Sequence, residues 1–150
     1  MPEWIEPVFD RTEEDVRLAK AYNKGTAESA ASEYKGALNT SDLNRIEGNC
    51  GYLAELLHSC GYTAHIASIK TDWTMNDFPT MAEFTRIRDN ITELLNIYAQ
   101  AEDMHDMRTD DRTDHVDVNN MEFDLYRINE MIANMKAIYM YSGELYGGEL

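Results

Sequence analysis

Apolar residues recur with alternating spacings of three and four along three stretches of the chain. In the first stretch they fall at 43, 46, 50, 53 and 57, which is the pattern of a helix with one buried stripe. The dipeptide Arg-Ile marks the same register at 45–46, 86–87 and 127–128, so the pattern repeats every 41 residues. A fixed period of this length is typical of repeated supersecondary units. The sequence therefore predicts three related helices that pack through equivalent stripes.

Polar residues at the start of these stretches match helix N-terminal caps. Asn39 and Asp42 have the spacing of a capping box at the first stretch. Asn119 and Glu122 offer the same pair at the third stretch, two positions earlier on the common register. We therefore expect the third helix to begin earlier than the repeat alone would place it.

The predicted fold is all-α, a small bundle of the three repeat helices with one or two N-terminal helices and irregular, aromatic-rich ends. Thr12 begins a capped helix that Gly25 ends, and a second short helix is predicted from Ala27 to Lys35. Residues 62–69 fit either an extended strand or an irregular connection. We expect a single domain, 1–150, with these parts: an extended N-terminal arm, 1–11; N-terminal helices, 12–36; repeat units, 37–77, 78–118 and 119–140, the last truncated; and a C-terminal tail, 141–150.

Composition narrows the function classes. With 150 residues and 43% apolar side chains, the chain is long enough for one ordinary core. No stretch approaches the roughly 20 apolar residues that cross a bilayer, and the N-terminus lacks the pattern of a signal peptide. The net charge of −15 repels phosphate backbones and anionic lipids. We therefore expect no direct binding to nucleic acid and no membrane association.

Two groups of residues could suggest a metal site. Cys50, His58, Cys60 and His65 have the donor types of a tetrahedral zinc site, but their spacing matches no known finger. Cys50 also falls in an apolar column of the repeat, which indicates an inert buried thiol with little thiolate for catalysis. We therefore predict no metal, no cofactor and no catalytic residue.

The segment from Glu102 to Asp124 holds nine acidic and two basic residues. A calcium loop that started at Asp111 would need glycine at its sixth place, where the chain has Val116. The segment is therefore predicted to be a solvated acidic loop between the second and third repeat helices. Weak surface binding of calcium stays open as an alternative.

Aromatic residues outside the helical pattern are the candidates for binding. Trp73 could form a stacking platform for a sugar, or it could fill a gap between helix ends. The residues near the two termini either close the domain or dock on a neighbouring subunit. The protein-interaction candidates at these ends are Trp4, Phe9, Tyr141, Leu145 and Tyr146.

Short strings of residues follow one another along nearly the whole chain: 7–12 (PVFDRT), 35–39 (KGALN), 42–47 (DLNRIE), 71–74 (TDWT), 79–80 (PT), 86–91 (RIRDNI) and 141–149 (YSGELYGGE). This series resembles a family of small proteins encoded by phages and prophages of low-GC Gram-positive bacteria, often among virion structural genes. The resemblance implies a component of a phage particle, in its tail, baseplate or fibre apparatus. It carries over no enzymatic residue.

The sequence therefore favours a non-enzymatic virion component, assembled in the host cytoplasm, whose partners are other virion subunits and further copies of itself. One rival is an acidic inhibitor that mimics nucleic acid and blocks a host defence protein, which the net charge permits. A small metal-dependent enzyme is a second rival, and it would need the cysteine and histidine residues outside the core.

Overall fold

The computed structural model describes residues 3–23, 38–74, 76–77, 79–97, 101–110 and 113–147. Its helices are α1 (Glu13–Asn23), α2 (Thr40–Ser59), α3 (Met81–Ile97) and α4 (His115–Gly147). Within these ranges no β-strand occurs, which confirms the predicted all-α class. The second N-terminal helix predicted from Ala27 to Lys35 lies outside the described residues.

Helices α2, α3 and α4 pack against one another in all three pairs and form a bundle around one core. The isoleucines of the repeated Arg-Ile dipeptide lie in that core, where Ile46, Ile87 and Ile128 are only 1%, 2% and 1% exposed. Cys50 and its register equivalents Ile91 and Ile132 are buried beside them. These two columns of the 41-residue register therefore lie at equivalent depths in three helices, as the sequence predicts.

The helices begin largely where local capping chemistry places them. Asn39 and Asp42 form the predicted capping box at α2, each side chain accepting the other residue's backbone N–H at 3.1 Å. At α4 the box is made by Asp114 and Asp117. The third helix does begin early, but the prediction that Asn119 caps it is wrong, because the acidic pair upstream supplies the cap.

The C-terminal residues differ from the prediction. An irregular tail was expected from residue 141, whereas α4 continues as a helix to Gly147. The stretch contains no proline, and a single glycine such as Gly143 costs a helix only about 1 kcal/mol relative to alanine. Glycine alone therefore does not end this helix.

Three non-helical segments, which we call straps, run along the bundle: strap 1 (residues 3–11), strap 2 (62–73) and strap 3 (101–110). Gly61, with φ of +91°, turns the chain from α2 into strap 2. The possible strand at 62–69 is therefore an irregular segment without strand pairing, and side chains of the helices bind parts of its backbone. Strap 2 leads to α3, and strap 3 leads to α4. Strap 1 differs, because α1 and residues 24–37 follow it in the sequence before α2 begins.

Candidate functional site

Two asparagines at the same place in the repeat bind the straps in the same way. Asn49 on α2 accepts the N–H of Ile5 at 3.0 Å and donates to its carbonyl oxygen at 2.8 Å. Asn90 on α3 does the same to Ala67, at 2.8 and 3.3 Å. Each amide thus satisfies both backbone groups of one strap residue, as a neighbouring strand would.

Two further asparagines hold the other ends of these straps. Asn119 on α4 accepts the N–H of Arg11 and donates to its carbonyl oxygen, at 3.1 and 2.9 Å. Asn44 on α2 binds the backbone of Trp73 in the same fashion, at 2.8 and 3.3 Å. Strap 1 is therefore fixed to α2 and α4, and strap 2 to α3 and α2.

A charge cluster lies where strap 1 meets the bundle. The Arg11 guanidinium, whose side chain is 2% exposed, pairs with Asp42 at 3.1 Å and with Glu122 at 2.8 Å. Arg45 pairs with the same two carboxylates. The cluster holds two positive and two negative side chains, so the charges balance and each carboxylate has two cationic partners.

The cluster corrects the prediction of one solvated acidic loop from Glu102 to Asp124. The second half of that segment belongs to α4, and Glu122 is fully buried because Arg11 and Arg45 neutralise it. Burial by itself would lower the pKa of Arg45. Its hydrogen bonds and charge interactions with Glu122 and Asp42 outweigh burial, so the pKa is raised.

A second buried carboxylate, Glu47 on α2, connects strap 2 to two helices. It accepts the backbone N–H of Lys70 at 2.9 Å and the indole N–H of Trp73 at 2.5 Å, and it pairs with Arg86 of α3. Trp73 is only 4% exposed. The sugar-platform interpretation of Trp73 is therefore wrong, since both its ring and its N–H are used inside the domain.

Strap 3 is held by α3 and α4. The guanidinium of Arg88 on α3 donates to the carbonyl oxygen of Asp110 at 2.7 Å, and Asp124 on α4 accepts the N–H of His105 at 2.9 Å. The second carboxylate oxygen of Asp124 is buried and has no hydrogen-bond partner. Each strap is thus bonded to a different pair of bundle helices.

The environment of Asp124 changes its acidity. Burial raises its pKa from the usual 3.8 to about 7, against the effect of the hydrogen bond from His105. The charges of Asp106 and Asp103 on strap 3 contribute to the same rise. A buried acid that titrates near neutrality therefore lies under strap 3.

The sulfur and nitrogen donors considered for zinc are not brought together. Cys50 lies in the core, where burial and the charge of Glu47 raise the pKa of its thiol to about 12, against the opposing charge of Arg86. His58 and His65 are exposed. In the part of the chain that the structure describes, no group of three or more His, Cys, Asp or Glu side chains is arranged to hold a metal ion.

A cavity of about 380 Å³ lies between α3 and strap 3. Its lining includes Arg88, Asp89, Asp106 and Arg108. Arg88 is engaged with strap 3 as described, and Arg108 donates to Asp114 at 3.1 Å and to Asp117 at 2.9 Å. The guanidinium groups at this cavity therefore bind the protein's own carbonyl and carboxylate oxygens.

Aromatic rings gather on the outside of α4, beside strap 1. Phe9 packs edge-on against Phe123 with ring centroids 5.4 Å apart, and its centroid is 5.3 Å from that of Tyr126. The ring centroid of His105, in strap 3, lies 5.5 Å from that of Phe123. We call these four residues, Phe9, Phe123, Tyr126 and His105, the aromatic face.

The candidates predicted at the two ends have different outcomes. Trp4 is half-buried against the bundle and packs at a tilt against Tyr52 with ring centroids 5.6 Å apart, whereas Phe9 stays 38% exposed within the aromatic face. Tyr141, Leu145 and Tyr146 lie on the last turns of α4, and their side chains lie outside the described residues. The structure therefore brings Trp4 and Phe9 onto one strap but not into one cluster.

Sequence reasoning missed the strap anchors and most of the aromatic face. Asn49 and Asn90 share a column of the 41-residue register, so their equivalence was available as a signal. Phe123 and Tyr126 are three residues apart and lie outside the apolar columns of the third repeat, which would place them together on an outer helix face. Their meeting with Phe9 depends on the path of strap 1 and has no local signal.

A scan against protein-family models, a search of curated proteins and a search of solved structures each find no match to the chain. Among the described residues, no helix combines the length and the apolar character needed to cross a membrane.

Proposed function

We propose that the protein is a non-enzymatic structural component of a phage particle, in its tail, baseplate or fibre apparatus, and that it acts through contacts with other subunits. The resemblance of its sequence strings to virion-associated proteins suggests this role. The observation that supports it most concerns the polar side chains in those strings. Among the residues that the structure describes, nearly all of these side chains bind another part of the same chain.

The strings contribute directly to the strap anchors. They supply these residues: Arg11, Asp42, Asn44, Arg45, Glu47, Trp73, Arg86, Arg88 and Asn90. Charged groups that are neutralised and hydrogen-bonded inside a fold stabilise a defined shape and have no free site for substrate chemistry. A rigid shape with a small exposed aromatic surface suits a subunit whose work is to hold a position in an assembly.

The test is to find where the chain resides after phage production. Particles from the induced host strain would be purified on a density gradient, and peptides of the chain would be quantified by mass spectrometry beside the major capsid protein. We expect a constant ratio of the two across the particle peak. An abundant cytoplasmic enzyme of the host serves as the control for contamination. Recovery of the chain only in the soluble fraction would contradict the proposal.

An acidic inhibitor that mimics nucleic acid is the alternative, and the net charge of −15 favours it. Against it, Asp42, Glu47, Glu122 and Asp124 are buried and present no charge on the surface. The two functions differ in a competition assay, in which the purified chain either displaces duplex DNA from a basic DNA-binding protein or leaves it bound. Displacement at equimolar concentration in physiological salt would support the inhibitor.

A further inference from the structure

We propose that the aromatic face binds a cationic segment of a partner protein, one that combines arginine or lysine with an apolar anchor residue. The inference deepens the proposed function, because in a particle the segment would belong to a neighbouring subunit. It is carried by the juxtaposition of four aromatic rings, of which Phe9 and His105 are exposed and Phe123 and Tyr126 are half-buried, with exposed carboxylates on the outside of α4 beside straps 1 and 3.

The rings are held in place before any partner arrives. Phe9 is 38% exposed, yet its strap is fixed on either side by Asn49, which binds Ile5, and by Asn119, which binds Arg11. An aromatic side chain that is already positioned loses little conformational entropy when it is covered, so it is well suited to act as an interface anchor.

Acidic side chains lie near the rings. Asp103 of strap 3 and Glu130 of α4 have side chains that are 55% and 44% exposed, and both pair with the single guanidinium of Arg127. Glu130 accepts the Tyr126 hydroxyl at 2.8 Å, and its hydrogen bond and charge, with a smaller effect from Glu6, raise the pKa of Tyr126. The two carboxylates therefore carry one more negative charge than the single guanidinium neutralises.

This combination selects a cation over other occupants. An anionic partner such as nucleic acid or an acidic lipid would be repelled. A purely apolar partner would remove water from Asp103 and Glu130 without supplying a compensating charge. A guanidinium can stack on an aromatic ring and hydrogen-bond a carboxylate at the same time, so it satisfies both parts of the face.

The first experiment uses the full chain and a defined probe. The probe is a nine-residue amidated peptide of alternating arginine and leucine, labelled with fluorescein for anisotropy and unlabelled for NMR. Two control peptides carry glutamate in place of arginine, or serine in place of leucine. We expect saturable binding of the probe with a Kd below about 1 mM, weaker binding of both controls, and the largest amide shift changes at Phe9, His105, Phe123 and Tyr126.

Matched variants separate this face from the overall negative charge. E6Q/D103N removes two charges beside the face, and E13Q/D89N removes two exposed charges elsewhere on the protein. We expect E6Q/D103N to raise the Kd at least about threefold more than E13Q/D89N does. F9S should raise it about tenfold, whereas M81S, at an apolar residue that is 51% exposed on α3, should leave it unchanged. If F9S does not fold by circular dichroism, the charge variants still decide the question.

The inference would be overturned if the probe did not bind, or if either control peptide bound as tightly as the probe. It would also be overturned if the two charge variants raised the Kd equally, or if the largest amide shift changes lay away from the aromatic face. These results are independent of the particle test. Absence of the chain from purified particles would contradict the proposed function while leaving a positive peptide result intact. Loss of peptide binding would contradict only the partner assigned here.

Discussion

Asn49 and Asn90, one repeat apart, each bind both backbone groups of a strap residue with one side-chain amide. An unpaired strap next to a helix normally leaves backbone groups unsatisfied, which is costly where water is excluded. These asparagines supply the missing partners without a second strand. Two of the three repeat units therefore carry a strap-binding asparagine as well as the apolar stripe.

Replacing Asn90 with alanine should lower the free energy of unfolding by about 1 to 3 kcal/mol, because both backbone groups of Ala67 lose their partner. N49A should act in the same direction through Ile5. Urea denaturation measures both. N96A, at an exposed asparagine of the same helix as Asn90, is the matched control and should change stability by less than about 0.5 kcal/mol. Equal effects of N90A and N96A would contradict the clamp.

Arg45 and Arg17 allow a comparison of buried and exposed ion pairs. R45A leaves Asp42 and Glu122 with one fewer cation in a buried cluster, and it should cost about 3 to 5 kcal/mol. R17A breaks a surface pair in which both side chains are more than half exposed, and it should lower the free energy of unfolding far less than R45A does. Thermal or urea denaturation measures the free energy of unfolding of both variants. A loss of stability in R45A as small as that in R17A would contradict the stabilising role of the cluster.

The acidity of Asp124 predicts a pH dependence of stability. Its pKa rises from 3.8 to about 7 on folding, so between these values the folded state binds more protons than the unfolded state. Stability from this group therefore falls as pH rises from about 4 to about 7 and then levels off. The asparagine variant removes this dependence.

We expect the stability of D124N relative to the wild type to increase between pH 5 and pH 8, because only the wild type must bury a negative charge at the higher pH. Urea denaturation at several pH values measures this difference, and a carbon NMR titration of the carboxyl group measures the pKa itself. A difference that stays constant with pH would show that Asp124 has an ordinary acidity.

Chelation tests the prediction that no structural metal is present. Removal of a structural zinc would take away binding energy that contributes to folding. EDTA should therefore leave the far-ultraviolet circular dichroism unchanged and shift the Tm by less than about 1 °C. Samples purified with and without added zinc serve as the comparison. A large fall in Tm on chelation would contradict the prediction.

The repeat helices could be predicted because their signals are local. Apolar spacing located the buried stripe, including Ile46, Ile87 and Ile128, and the Asn39 side chain marked the start of α2. Both features depend on residues within a few positions of one another, so a single sequence contains them.

The straps could not be predicted because their stability comes from distant residues. Strap 1 has no hydrophobic period of its own, and its backbone partners Asn49 and Asn119 lie 44 and 108 residues away. The burial of Glu122 could not be predicted either, since a charged side chain is expected on the surface. Its burial depends on the ion pairs with Arg11 and Arg45, which come from distant parts of the chain. The aromatic face follows from the same long-range contacts.

Hydrogen exchange of the strap amides tests most directly the claim that helix side chains hold the straps. The backbone N–H groups of Ile5, Arg11, Ala67, Trp73 and His105 each donate to an asparagine or aspartate side chain of the bundle. We predict that NMR will find all five protected well above the rates of unstructured peptides of the same sequence, although none of them lies in a helix. Exchange at the rates of those peptides would contradict the account.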